Sequence, residues 1–145
     1  MSVWDFLIGQ DQAVEVLRHA ATNPEAMTHA WLITGPPGSG RSIAARAFAA
    51  ALQAPQDHQG ISPQATTAFE GTHADVHIHT TEKLLITIDE AKELIDKAHR
   101  APVGGRWRIV IVEDADRITE RTSNVLLKSI EEPPPRTVWI LCAPS

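Results

Sequence analysis

An α/β fold built on a parallel sheet in three layers is the class this sequence predicts, and three observations predict it. Short apolar runs, AWLIT at 30–34, WRIVIVED at 107–114 and TVWILCA at 137–143, alternate with segments of helical spacing. These runs are too short for helices and suit parallel strands buried on both faces. The first run stops at a glycine-rich stretch, GPPGSGRS at 35–42, which leads straight into an alanine-rich segment. Strand, glycine loop and helix in that order are the context that a phosphate-binding turn needs, and the alternation implies the crossovers of a doubly wound sheet.

Each element has its own warrant. Residues 10–22 place Val14, Leu17 and Ala21 at helical spacing and stop at Asn23-Pro24. The segment 42–54 is alanine-rich without a breaker, a strong helix former. Residues 55–74 are rich in Pro, Gln, Gly and Thr and show no period, so a loop or a poorly packed excursion is expected. DVHIHT at 75–80 alternates and reads as a strand. In 87–100, Thr87 and Glu90 form a capping box, Ala91, Leu94, Ile95 and Ala98 line one face, and Pro102 and Gly104-Gly105 follow. Residues 119–132 read as a helix opened by Thr119 and stopped by Pro133-Pro134-Pro135.

Composition narrows the function classes. A length of 145 residues suits one domain with one core. The net charge of −5 argues against a large basic nucleic-acid footprint on this segment. The single cysteine, Cys142, excludes an internal disulfide and a cysteine-type zinc cluster. No basic region followed by an apolar run opens the chain, and no apolar stretch approaches the ~20 residues that span a bilayer. A cytoplasmic location is therefore the default.

The chemistry concentrates at two places. In the loop, Gly35, Gly38 and Gly40 let the backbone wrap with its N–H groups inward, Pro36, Pro37 and Ser39 complete it, and Ser42 stands where a hydroxyl would meet Mg²⁺. The helix behind it adds the positive end of its dipole. Arg41 occupies the place of the usual lysine. Lysine is a slim point charge and arginine a wide planar fork, so the exchange is not conservative there. The residues leave open whether this loop hydrolyses a nucleotide, only holds one, or is a plain strand-to-helix turn. After the second buried run come Glu113-Asp114. Phosphoryl-transfer sites of this class use an Asp for Mg²⁺ and often a following Glu; here the two types are reversed. A solvated pair at a strand end is the plainer alternative. His73, His77 and His79 have no cysteine or acid to complete a metal set, so exposed strand histidines are expected. Trp4, Trp31, Trp107 and Trp139 are assigned to packing.

Several segments together resemble one family. VGGRWRIVIVEDADRITERTSNVLLKSIEEPPPRTVWILCAPS is similar to the clamp-loader branch of the AAA+ ATPases, with SNVLLKSIEEPPP the most specific phrase. FLIGQDQAVEVL resembles that family's N-terminal box, and MTHAWLITGPPGSGRS its first strand and phosphate loop. VEDAD and GRS are most similar to the delta-prime type of subunit in bacterial DNA polymerase III. The gamma/tau type, the motor of the same assembly, is expected to carry Gly-Lys-Ser/Thr and Asp-Glu instead.

The resemblance implies a P-loop (AAA+) three-layer sandwich and a role in DNA replication. It implies a stator in a ring-like pentamer that places the sliding clamp on primed DNA. Gamma/tau and delta subunits would be its partners, and clamp and primer-template DNA would be reached through the complex. The alternative is a gamma/tau-like ATPase motor; an unrelated P-loop kinase or transferase is disfavoured by LLKSIEEPPP. ATP or ADP with Mg²⁺ is the implied ligand of residues 35–42, with Ser42 and Glu113 as the Mg²⁺ ligands if nucleotide binds. With Arg41 and the reversed acids, efficient hydrolysis by the chain alone is not expected, although the holoenzyme it implies is a nucleotidyltransferase.

Three departures from the family pattern follow. The stretch 56–71 has none of the four cysteines of the family's zinc module, so no zinc is expected and the insert should be loose or folded differently. The polar sensor position falls at Ala143-Pro144, with Ser145 one place late. The fifth strand, helical lid, collar and Ser-Arg-Cys segment with its arginine finger are expected beyond Ser145, which makes 1–145 an incomplete AAA+ domain. In the family sheet the fifth strand lies beside the first, so its absence would leave AWLIT with an unpaired edge. A protein carrying that strand should unfold at a higher denaturant midpoint than residues 1–145; equal midpoints in urea would contradict this.

Overall fold

The computed structural model describes residues 17, 19–21, 27–35, 40–57, 59–81, 83–104 and 106–144. The elements are β1 (Ala30–Thr34), α1 (Arg41–Gln53), α2 (Pro63–Glu70), β2 (Val76–His79), α3 (Ile88–Ala98), β3 (Arg108–Val112), a 3-10 turn (Ala115–Arg117), α4 (Glu120–Glu131) and β4 (Thr137–Ala143). The four strands pair in parallel in the order β1-β4-β3-β2. The predicted helix at 10–22 lies mostly outside the described residues, but Leu17, Ala20 and Ala21 are helical and buried.

Alternation along the central strands builds the layers. Ile109 and Ile111 of β3, with Val138, Ile140 and Cys142 of β4, face α1 and α2. Val110, Val112 and Trp139 face the other way, onto α3 and α4. Every residue of β3 is buried, and after Arg108 the strand reads as an unbroken apolar run, 109–112. The α1–α2 side is filled by alanines around Phe48, with Trp31 edge-on to Phe48 at a ring separation of 5.0 Å. Trp139 is fully buried in the opposite layer, and Trp107 lies under the Arg136 guanidinium at 5.3 Å. Trp4 lies outside the described residues.

Caps set the helix ends. Thr87 accepts the Glu90 amide while the Glu90 carboxylate accepts the Thr87 amide, the reciprocal pair read from the sequence. Thr119 caps α4 through the Thr122 amide. The loop before β3 is pinned by fully buried Asp75, whose carboxylate accepts the amides of Val103 and Gly104, each at 2.6 Å.

The segment 55–74 corrects the sequence reading. It holds an eight-residue helix, α2, rather than a loop. Ser62 caps it, Pro63 takes the first turn, where its missing N–H costs nothing, and Gly71 closes it at a φ of 84°. Asp57 stabilises the approach by accepting the amides of Gly60 at 3.0 Å and Ser62 at 2.7 Å. The Ser62 amide above all holds the Asp57 carboxyl below its ordinary range. The apolar signal was faint because α2 buries only Ala65 and Ala68.

Among the described residues β1 pairs with β4 alone, so its other edge is open. Beside that edge Leu32, Leu126, Leu127, Ile130 and Leu141 line an apolar groove.

Two outcomes test this packing. Thr87→Ala removes one half of the capping box and should lower unfolding free energy by about 1 kcal/mol in urea titrations. The Cys142 thiol is pushed up to about 12 by burial, with the Glu113 carboxylate adding to the shift. The unfolded thiol ionises near ~8.5, so the folded state keeps a proton that the unfolded state has lost. This contribution to stability is whole below that pH and lost as pH rises toward 12. Cys142→Ala should therefore flatten the alkaline fall in unfolding free energy; identical slopes would refute the assignment.

Candidate functional site

Parallel pairing brings the C-terminal ends of β1, β3 and β4 to one end of the sheet, and the predicted loop and acids both lie there. β1 runs out at Thr34, and the Gly35 amide donates to the Ala143 carbonyl at the end of β4, at 3.1 Å. Residues Pro36, Pro37, Gly38 and Ser39 lie outside the described residues. The chain re-enters at Gly40, the N-cap of α1, with φ 88° and ψ 14°. A side chain rarely adopts this left-handed conformation, so glycine is required at the place where the loop turns into the helix.

Arg41 does not extend from the loop. Its Nη1 donates to the Gly35 carbonyl at 2.6 Å, joining the two ends of the glycine stretch. The guanidinium thus acts as a clasp on its own backbone, a geometry that a forked donor reaches easily.

The two acids after β3 part company. The Glu113 carboxylate turns to α1: one oxygen accepts the Ser42 hydroxyl and also Arg46 Nε, the latter at 2.9 Å. The side chain of Glu113 is 11% exposed, so this pairing is largely shielded from water. The Asp114 carboxylate instead accepts the Thr81 amide at 3.2 Å, on the far side toward β2. Of the predicted residues the fold therefore brings together Ser42 and Glu113 and separates Asp114 from them. Ala143, where the resemblance puts the polar sensor, is buried, and its carbonyl accepts the Gly35 amide.

Arg46 joins Ser42 and Glu113 in this cluster, and the sequence reading did not single it out. It lies one helical turn beyond Ser42, and its position on the same face of α1 is the signal that could have found it.

The histidines differ from expectation in their surroundings. His77 and His79 are partly buried on β2, their rings 6.2 Å apart, and each has a partner. His79 Nε2 lies 2.9 Å from the Glu90 carboxylate. His77 is held down to about 4, first by burial and then by the Lys97 ammonium, so its neutral Nδ1 accepts from Lys97 at 3.3 Å. Burial raises the Glu90 carboxyl, but the Thr87 amide, His79 and the Thr87 hydroxyl outweigh it and leave it below its ordinary range. His73 Nδ1 accepts the Asp75 amide at 3.0 Å.

Comparison with known proteins gives this geometry a context. The family described as DNA polymerase III, delta subunit, matches residues 9–145. The DNA polymerase III subunit gamma/tau of Mycobacterium tuberculosis (strain ATCC 25618 / H37Rv) is 30% identical over 145 residues, covering 92% of this chain and 24% of that protein. The tau subunit of Bacillus subtilis (strain 168) is 30% identical over 139 residues, covering 93% of this chain and 24% of that protein. The chain thus spans about a quarter of the length of these curated relatives. The crystal structure of a gamma subunit-related protein from Thermotoga maritima superposes with a TM-score of 0.64 at 26% identity, covering 91% of this chain and 39% of that one. The chain belongs to the clamp-loader family of DNA polymerase III.

Proposed function

We propose that this chain is the AAA+ module of a clamp-loader subunit that works in DNA replication as a stator. On this reading it occupies a place beside gamma/tau and delta subunits in the cytoplasm and holds a neighbouring ATPase site in position. The sliding clamp and the primer-template DNA are reached through the assembly. The observation that carries the reading is the Arg41 clasp: the cation at the lysine position is already committed to the Gly35 carbonyl. That bond uses one of the guanidinium's five N–H donors and holds the side chain against its own backbone, where a lysine would reach toward phosphate.

The donor set fits a Mg²⁺-nucleotide in part. Ser42 and Glu113 lie together as a hydroxyl and a carboxylate suited to a hard cation. Bound Mg²⁺ would offset phosphate charge there. Asp114, however, is turned to Thr81 and stands away from that pair. The chain's own residues therefore support holding ATP or ADP better than splitting ATP.

A second reading, a gamma/tau-like motor subunit, is favoured by the names of the curated relatives. In similarity alone it has the stronger support, whereas the clasp and the acid geometry favour the stator.

Turnover separates the two. The full-length protein, purified free of other subunits, should hydrolyse Mg-ATP no faster than its Ser42→Ala variant, with ADP release as the readout. Steady hydrolysis well above that control would establish the motor reading. Arg41→Lys frees the Gly35 carbonyl and should tighten nucleotide binding by about tenfold in equilibrium titrations. Unchanged or weaker binding would remove the clasp as the reason for the stator reading.

A further inference from the structure

The insert between α1 and β2 touches the site through one side chain. Arg46 Nε donates to the Glu113 carboxylate at 2.9 Å, and Arg46 Nη1 donates to the Phe69 carbonyl, in the last turn of α2, at 3.4 Å. A planar guanidinium can hold both acceptors at once, which a single ammonium does less well. The acid beside Ser42 is therefore linked to α2 as well as to α1.

The insert has its own means of staying ordered. Its entry is held by the Asp57 carboxylate on the amides of Gly60 and Ser62, and its helix by the Ser62 cap on the Ala65 amide. Its exit is fixed by Gly71, where an added Cβ would stand 2.9 Å from Ile78 Cδ1 on β2. Among the described residues, no group of three or more His, Cys, Asp or Glu side chains could hold a metal ion. Carboxylate-to-amide and hydroxyl-to-amide bonds of its own order this segment.

We propose that α2 is a strut that positions Glu113 through Arg46. Arg46 is the positioning residue, and Asp57 fixes the far end of the strut. The proposal rests on reading Ser42 and Glu113 as the hydroxyl and acid of the site. Its test measures backbone protection rather than nucleotide, so its failure would leave that reading standing.

Hydrogen exchange followed by mass spectrometry on the full chain tests the coupling. Asp57→Ala should speed exchange across 60–71 and, through Arg46, across 113–117, each by about tenfold. In an Arg46→Met background, Asp57→Ala should speed 60–71 alone, because the connection has already been cut. Arg46→Lys keeps a charge for Glu113 but gives up the fork; 113–117 should stay protected and cease to respond to Asp57→Ala. It also serves as the test if Arg46→Met fails to fold. The strut is overturned if 113–117 ignores Asp57→Ala while Arg46 is intact, or responds equally in all three backgrounds.

Discussion

Parallel strand pairing is the constraint from which the rest follows. Because β1, β4 and β3 run the same way, the residues that leave them emerge at one end, and the glycine turn and the acids meet there. Burial of both faces of β3 and β4 fixes the register, since a slip by one residue would exchange Ile109 and Ile111 with Val110 and Val112 across the sheet. The distances among Ser42, Arg46 and Glu113 depend on that register and on the rigid seat of α1 against the sheet.

Around this end of the sheet the chain satisfies its own polar groups. Arg41 binds the backbone it follows, Glu113 receives a hydroxyl and a guanidinium, and Asp114 takes a backbone amide. Reversal of the acids has a geometric meaning. The longer glutamate, first after the strand, reaches α1, and the shorter aspartate, one residue on, faces the loop after β2.

Strongly patterned parts of the fold were legible in the sequence. Unbroken apolar runs gave β3 and β4 because both faces are covered, and Thr87 with Glu90 gave a helix start because two orphan groups answer each other locally. The insert helix was not legible as a periodic segment. Its order comes from Asp57, Ser62 and Gly71, whose signals resemble those of a loop, while its buried face is two alanines. Spacing pointed to Ser42 and Glu113, which the fold brings together, yet the clasp made by Arg41 and the reach of Arg46 are three-dimensional facts. A linear pattern records that a side chain is arginine, not which carbonyl it bends toward.

The modest face of α2 has a consequence for how such a segment can change over time. Ala65 and Ala68 are fully covered where α2 lies against α1, so the two backbones sit at a spacing that any bulkier residue would wedge apart. Substitutions should accumulate in the connecting turns and be purged from the alanine seam. Descendants of this chain would then vary most in the approach to the helix and least in its smallest side chains.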